Sequence, residues 1–273
     1  MRDHTSRAAG LRARGVTVGY GAEPVLDRLD FTVPLQRFTA IIGPNGCGKS
    51  TLLKALARTL RPQRGTVELD DVPLTQWRSR QLARRIGLLP QSPVVPDGIT
   101  MRSLVARGRH PYHSPLRQWL PGDDEAIELA MEATGITDLG GARAEDLSGG
   151  QRQRAWIAMV LAQDTDLVLL DEPTSALDIA HQVEVLHLCQ DIRDQGRSVV
   201  AVLHDLNQAA RYADHLVVMR RGEIFAAGDP QEVLTPSTVS EVFSLDSELV
   251  PDPQAGSPMV VPCARRASPE RMC

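Results

Sequence analysis

A glycine-rich segment with a lysine and two hydroxyl side chains carries the strongest chemical signal in the chain. It matches the pattern G-x-x-x-x-G-K-[ST] in full, as Gly43-Pro44-Asn45-Gly46-Cys47-Gly48-Lys49-Ser50-Thr51. Glycines let such a backbone turn tightly and bring N–H groups to phosphate oxygens, and the positive end of a following helix faces the same anion. We expect Lys49 to neutralise the β- and γ-phosphates and Ser50 to ligate Mg²⁺. The segment predicts a nucleoside triphosphate site, which we favour over a glycine-rich turn beside an unrelated lysine.

A second signal is an apolar run that ends in two carboxylates, Leu167-Val168-Leu169-Leu170-Asp171-Glu172-Pro173. Asp171 suits a ligand of Mg²⁺, either directly or through water. Glu172, the next residue, can polarise a water molecule towards the γ-phosphate. The alternative is a solvated turn after a strand. Beside a phosphate-binding segment, the pair predicts phosphoryl transfer from ATP to water.

A third signal is the pentapeptide Leu147-Ser148-Gly149-Gly150-Gln151, in which Ser148 is placed to cap a helix. Like the glycine-rich segment, this helix start could bind a phosphate group. A single nucleotide does not obviously need two such helix starts. An ordinary capped helix is the alternative for the pentapeptide taken alone.

The hydrophobic pattern predicts the elements that position these residues. Strands are expected at 11–18, 29–33, 38–42, 66–69, 86–89, 167–170, 198–203, 215–219 and 223–226. Helices are expected at 50–60, 127–134, 151–162, 181–193 and 206–212. Because apolar strands alternate with helices, we expect a parallel sheet covered on both faces. Residues 92–163 are interpreted as a mainly helical subdomain within one domain, 11–262, and residues 1–10 and 263–273 as flexible tails.

Composition excludes several classes of protein. With 42% hydrophobic and 23% charged residues among 273, the chain is neither disordered, collagen-like nor a polytopic membrane protein. A net charge of −4 gives no field that favours nucleic acid. The four cysteines form no C-x-x-C pair, and the first fifteen residues lack the apolar stretch of a secretory signal, so we expect a reducing, cytoplasmic setting. For Cys47 we favour a tolerated small residue over a thiol whose pKa is lowered by helix N–H groups.

Further motifs follow the phosphate-binding segment in a fixed order: Gln91, the pentapeptide 147–151, the carboxylate pair, Ser175-Ala176-Leu177-Asp178 and His204. With its motifs in this order, the sequence resembles the ATP-binding cassette (ABC) ATPase family. The resemblance covers nearly all of residues 11–262. The resemblance implies an α/β P-loop NTPase fold with a mostly parallel core sheet and an N-terminal antiparallel β-subdomain. It also implies that the helical insertion carries the family's signature motif, here the pentapeptide.

The resemblance implies a mechanism that needs two copies of the chain. In this family the signature of one subunit closes over the ATP that the phosphate loop of its partner holds. A homodimer would therefore enclose two ATP molecules with Mg²⁺, and the residues contacting the γ-phosphate in trans would be Ser148, Gly149, Gly150 and Gln151. Asp178 matches the aspartate that couples the two sites.

The resemblance also implies the remaining site residues. Tyr20 matches the aromatic residue that stacks on adenine, for which an ordinary strand-end tyrosine is the alternative. The implied catalytic residues are Glu172 as general base, with Lys49, Gln91 and His204. The implied metal ligands are Ser50, Gln91 and Asp171. Taken alone, His204 would be a surface residue or a helix cap.

Four further segments are similar to the ATPase subunits of ferric-siderophore, haem and cobalamin importers: residues 107–113, 177–182, 204–214 and 258–262. We favour the ferric-siderophore branch, with haem or cobalamin import as the alternatives. Such a subunit would lie at the cytoplasmic face of the membrane, bound to permease subunits and served indirectly by an extracytoplasmic siderophore-binding protein. Residues 107–113 are interpreted as a patch at the permease interface, or otherwise as a basic surface loop broken by proline.

Two rival functions have weaker support. A soluble ABC protein acting in DNA repair or on the ribosome would usually carry tandem cassettes or a long coiled coil, whereas the insertion here is short and lacks heptads. A P-loop kinase with a small-molecule acceptor does not account for the pentapeptide 147–151.

Overall fold

The computed structural model describes residues 10–264 apart from Ala22, residues 94–96, residues 115–117 and Ala176. The predicted tails lie outside the described residues except at their inner ends. There Gly10 N donates to Asp70 Oδ1 at 3.0 Å, and Cys263 N donates to Asp246 O at 2.9 Å. The backbone at 10 and at 263 is therefore tied to the domain.

The strands and helices follow one another in a mixed α/β order. The strands are β1 Leu11–Val18, β2 Leu26–Thr32, β3 Phe38–Ile42, β4 Arg64–Leu69, β5 Val72–Pro73, β6 Ile86–Leu89, β7 Leu167–Asp171, β8 Ser198–Val202, β9 His215–Arg220, β10 Glu223–Gly228, β11 Ser247–Pro251 and β12 Pro258–Pro262. The helices are α1 Lys49–Leu56, α2 Ser79–Leu82, α3 Met101–Ala106, α4 Asp123–Ala133, α5 Gly149–Ala162, α6 Ile179–Asp194, α7 Leu206–Tyr212, α8 Pro230–Val233 and α9 Pro236–Phe243. None of the helices in the described part is long and apolar enough to cross a membrane.

The central sheet has six strands in the order β10-β9-β3-β8-β7-β6, and all neighbours are parallel except β10 and β9. Every residue of β3, β7 and β8 is buried, which explains why these strands are apolar in the sequence except at Thr39, Asp171 and Ser198. Since β6, β7, β8 and β3 are parallel neighbours, the loops that follow them emerge at one edge. This edge receives the glycine-rich segment, the carboxylate pair, His204 and Gln91.

A second, antiparallel sheet covers α1 on the side away from the central sheet. Its strand order is β2-β1-β4-β5. Leu52, Leu53 and Leu56 of α1 are buried in one cluster with Leu11 and Val16 of β1. The expected N-terminal antiparallel subdomain is confirmed, and it fixes the helix that starts at the glycine-rich segment.

The segment between β6 and β7 is mainly helical, as expected. Helices α3 and α4 pack on α5, and Leu104, Ile127 and Ile157 from the three helices are buried together. Helix α5 therefore joins this subdomain to the central sheet.

Some element boundaries differ from the prediction for local reasons. Helix α1 ends at Leu56 instead of residue 60, because Arg58 has a left-handed backbone with φ of 58° that breaks the helical path. Strand β2 begins at Leu26, three residues earlier than expected, and pairs there with Val18. The hairpin of β11 and β12 was not predicted as paired strands. It is held to α7 by the Asn207 side chain, whose Oδ1 accepts from Val260 N at 2.7 Å.

Candidate nucleotide-binding site

The glycine-rich segment forms a tight loop between β3 and α1. Gly43 has φ of 153°, and a Cβ atom there would lie 2.3 Å from the carbonyl oxygen of Met219. Gly48 has φ of 108° and directly precedes the first helical residue, Lys49. Only glycine fits both positions without displacing its neighbours. The sequence therefore folds locally into a loop whose N–H groups and helix start can hold an anion.

Lys49 is buried, and its ammonium group lies within the loop. Lys49 Nζ donates to Gly43 O at 2.7 Å and to Pro44 O at 3.1 Å. These two carbonyl groups orient a full positive charge next to the helix start, where both attract the same anion.

Ser50 and Asp171 meet across the edge of the sheet. Ser50 Oγ donates to Asp171 Oδ1 at 2.8 Å, and Asp171 Oδ2 is buried with no hydrogen-bond partner among the described residues. Burial raises the pKa of Asp171, and the hydrogen bond from Ser50 opposes this rise only in part. A buried, unsatisfied carboxylate oxygen beside a hydroxyl is the donor set that a hard cation such as Mg²⁺ prefers, so the residues fit that ion.

Glu172 and His204 contact each other at the ends of β7 and β8. Glu172 Oε1 lies 2.9 Å from His204 Nε2. Glu172 also has a left-handed backbone with φ of 54°, which is costly for a residue with a Cβ atom. Ser175 Oγ donates to Glu172 O at 2.8 Å and so supports this turn. The strained turn aims a carboxylate, paired with an imidazole, across the sheet edge.

One open cleft brings most of the predicted residues together. It is lined by Tyr20, Val25, Asn45, Gly46, Gly48, Lys49, Ser50, Thr51, Gln91, Glu172 and His204. Asp171 does not line the cleft itself, but it accepts a hydrogen bond from Ser50, which does. Val25 was not predicted as a site residue. The only feature of the sequence that could have indicated it is that an aliphatic residue follows shortly after Tyr20. The lining residues come from five separate segments, which only the tertiary fold makes neighbours.

Cys47 is buried beneath the glycine-rich loop. A Cβ atom at Gly43 would lie 2.8 Å from Cys47 Sγ, so the thiol fills space under the loop. Burial raises the pKa of the Cys47 thiol despite the nearby charge of Lys49. The idea of a thiol activated by helix N–H groups was therefore wrong, and the interpretation as a small packing residue fits.

The pentapeptide 147–151 starts α5, but its residues do not line the cleft described above. Ser148 Oγ accepts from Gln151 N at 3.2 Å, and Gln151 Oε1 accepts from Ser148 N at 3.0 Å, a reciprocal capping box. The prediction that Ser148 caps the helix is confirmed. A Cβ atom at Gly149 would meet nothing within 4 Å among the described residues. Packing inside the chain therefore does not explain the glycine at this position.

Asp178 is exposed and caps the start of α6. Its Oδ1 accepts from His181 N at 2.9 Å and lies 2.7 Å from His181 Nδ1. The backbone hydrogen bond from His181 is the main cause of the lowered pKa of Asp178. Asp178 is not part of the cleft in its own chain.

Comparison with known proteins agrees with the geometry. The sequence profile of the family described as "ABC transporter" matches residues 26–175, more than half of the chain. The chain belongs to the ABC transporter family. It is an ATPase of that family, and the expected fold and activity are confirmed.

Relatives match this ABC ATPase over nearly its whole length. The ferric enterobactin transport ATP-binding protein FepC of Escherichia coli (strain K12) is 50% identical over 264 residues, which cover 96% of this chain and 97% of FepC. The hemin import ATP-binding protein HmuV of Nocardia farcinica is 46% identical over 257 residues, covering 92% and 88%. The dimeric structure of MJ0796, a bacterial ABC transporter cassette, superimposes with a TM-score of 0.72 at 25% identity, covering 80% and 98%.

The basic segment 107–113 of the ABC ATPase is not an exposed loop throughout. It forms a 3-10 helix in which Arg109 is buried, donating to Asp123 Oδ1 at 2.9 Å and to Ala162 O at 2.8 Å. His113 Nε2 lies 2.8 Å from the second carboxylate oxygen of Asp123. Arg109 therefore binds other parts of its own chain. The interpretation of the whole segment as a surface patch was wrong for this residue. Arg107 and His110 of the same segment are exposed.

Proposed function

We propose that the chain binds ATP in the cleft at the edge of the central sheet and hydrolyses it there. The observation that carries this proposal is the convergence of the loop after β3 with the ends of β6, β7 and β8 on one cleft. The backbone N–H groups of residues 45–51 and the ammonium group of Lys49 would hold the phosphates. Tyr20, exposed at the rim, would stack on the adenine.

Ser50, Asp171 and Gln91 are the proposed ligands of Mg²⁺. The buried, unpartnered Asp171 Oδ2 and its neighbour Ser50 Oγ support this assignment, and Gln91 lines the same cleft. When bound, the ion would neutralise charge on the phosphate oxygens.

Glu172 is the proposed general base. It would orient a water molecule and take its proton as the water oxygen bonds to the γ-phosphorus. The bond from that phosphorus to the oxygen bridging to the β-phosphate breaks, and ADP and inorganic phosphate leave. His204 would contact the γ-phosphate, and its contact with Glu172 supports a shared position beside the reacting atoms.

The signature residues would complete the site of a second copy of the chain. Ser148, Gly149, Gly150 and Gln151 lie at a capped helix start, and the open space at Gly149 leaves room for a partner's nucleotide. The dimeric state of the similar MJ0796 cassette supports this arrangement. Asp178, exposed beside the same surface, is proposed to couple the two sites.

The substitution Glu172→Gln tests the hydrolytic role. It keeps the side chain's size but removes its basicity, so ATP binding should remain while turnover falls at least about a hundredfold. Glu184→Gln is the matched control, because Glu184 is exposed on α6 and does not line the cleft. Near-normal ATP hydrolysis by the Glu172→Gln variant, measured as phosphate release, would contradict the general-base assignment.

We further propose that the chain powers import of a ferric siderophore through separate permease subunits, at the cytoplasmic face of the membrane. The similarity to FepC over almost the full length supports this substrate class. An extracytoplasmic siderophore-binding protein would contribute indirectly, since this chain's site faces ATP. No nucleic acid is expected to take part.

The exposed part of segment 107–113 is the proposed permease contact. Arg107 and His110 line an open cleft together with Arg80 and Trp119, so cationic and aromatic groups are available to a partner. A cysteine at residue 107, in a background with Cys263 and Cys273 both replaced by serine, should crosslink to the permease, whereas one at exposed residue 184 should not. Equal crosslinking from both positions would refute the assignment.

Haem import is a second candidate, because the haem-import protein HmuV is 46% identical. Cells that carry this chain as their only ATPase of the class would distinguish the two. We expect ATP-dependent uptake of iron from a ferric siderophore and none from haem. The reverse result would assign the chain to haem import.

A further inference from the structure

Lys54 lies beside the cleft, yet the proposed hydrolysis gives it no role. It is one of only two lysines in the chain, the other being Lys49. It follows Ser50 by four residues in α1, so both side chains leave the same face of the helix. Lys54 Nζ donates a hydrogen bond of 3.3 Å to the hydroxyl oxygen of Tyr20.

In this contact Lys54 covers neither face of the aromatic ring. Lys54 Nζ is 5.6 Å from the ring centroid but only 3.3 Å from the hydroxyl oxygen, so the ammonium group lies at the hydroxyl edge of the ring. The Tyr20 residue is 64% exposed, and among the described residues this is the only hydrogen bond to its side chain. Lys54 therefore restrains the ring without covering it.

The backbone around Tyr20 is restrained separately. Val25 N donates to Val18 O at 2.9 Å and closes the turn, and Gln63 Nε2 donates to Gly21 O at 3.2 Å. The backbone contacts fix where the side chain begins, and the contact with Lys54 fixes where its far end lies. Together they restrain the direction of the ring's long axis, from Cβ to the hydroxyl oxygen.

We propose that Lys54 is a positioning residue for the nucleotide base, acting through the Tyr20 hydroxyl. The inference rests on the proposed function, in which Tyr20 stacks on adenine. A freely rotating tyrosine must lose side-chain freedom when a base stacks on it, whereas a tyrosine restrained at its hydroxyl has already lost part of that freedom. From the usual entropy of ordering one such side chain, we expect removal of Lys54 to weaken ATP binding about two- to tenfold.

A comparison of two ligands separates positioning from a direct charge effect. Calorimetry on the full chain would measure the affinity of ATP and of inorganic tripolyphosphate, both with Mg²⁺, for the wild type, Lys54→Met, Tyr20→Phe and the double variant. If Lys54 acts through the hydroxyl, both single variants weaken ATP binding by a similar factor and the double variant is no worse. Tripolyphosphate, which has no base, should bind all four proteins equally. Lys54→Arg, which keeps a donor at this position, should restore most of the affinity for ATP.

Three results would overturn the inference. A parallel loss of tripolyphosphate affinity in Lys54→Met would make Lys54 a counter-charge for the phosphates. Losses that add up in the double variant would show that Lys54 and the Tyr20 hydroxyl act independently, and unchanged ATP affinity would remove the role altogether. If the wild-type protein bound tripolyphosphate as tightly as ATP, the base would add no affinity, and the proposed stacking on Tyr20 would be refuted. If it bound neither ligand, the proposed nucleotide site itself would be refuted.

Discussion

Replacing Arg109 with alanine should destabilise the fold, whereas replacing its neighbour Arg107 should not. Arg109 is 7% exposed and Asp123 is fully buried, so the variant leaves a buried carboxylate without its main cation. Losing one partner of such a pair typically costs about 3–5 kcal/mol. Asp123 keeps its 2.8 Å contacts with His113 and with Leu120 N, which places the expected loss near the lower limit, about 3 kcal/mol.

Thermal unfolding measures this difference. For a domain of this size a loss of about 3 kcal/mol corresponds to a melting temperature lower by roughly 6–12 °C. Arg107→Ala is the matched control, since Arg107 is exposed and should change stability by no more than about 0.5 kcal/mol. If both variants had the same melting temperature as the wild type, Arg109 would not be a buried counter-charge.

The pH dependence of the same variant provides an independent check. In the wild type, burial favours the protonated form of Asp123, but hydrogen bonds led by the one from Arg109 outweigh it and lower the pKa. A lowered pKa stabilises the fold above about pH 4, and this contribution is lost on acidification. Without Arg109 the buried carboxyl takes up a proton more readily, so the stability difference should shrink as the pH falls from 7 to about 4. A difference that grew on acidification would contradict this electrostatic explanation.

Three shorter predictions address the nucleotide site. Lys49→Ala should weaken ATP binding at least about tenfold in calorimetry, because a charge-assisted contact with phosphate is lost; unchanged affinity would refute the placement of the loop. Burial raises the pKa of Asp171, so its ionisation in the folded protein costs stability as the pH rises above about 4. Asp171→Asn should therefore raise the melting temperature of the ligand-free protein more at pH 7 than at pH 4. An equal rise at both pH values would point to packing instead. Cys47 should react with a thiol reagent far more slowly than exposed Cys263, as resolved by peptide mass mapping, and equal rates would contradict its burial and raised pKa.

The central sheet was predictable from the sequence because its strands are buried on both faces. Residues 38–42 and 167–171 are buried throughout and are apolar except for Thr39 and Asp171, and such short runs beside turn residues indicate parallel strands. The glycine-rich loop was predictable for another reason: its conformation depends on glycines that lie within the motif itself.

The parts that escaped prediction depend on contacts between distant segments. The hairpin of β11 and β12 is held by Asn207, and the burial of Arg109 requires Asp123 from the start of another helix. Both side chains are polar, and a polar residue usually indicates the surface unless its partner is known. The contact of Lys54 with Tyr20 was missed in the same way, since it joins two segments that the sequence separates.

The mass of the Glu172→Gln variant in solution shows whether ATP holds two copies of the chain together. ATP should convert this variant from a monomer of 29.8 kDa into a dimer of twice that mass, and ADP should not. Adding Gly149→Val, which fills space left open in the single chain, should keep the protein folded but monomeric. A Glu172→Gln variant that binds ATP yet remains monomeric, or a Gly149→Val variant that dimerises equally well, would contradict a nucleotide shared between two copies of the chain.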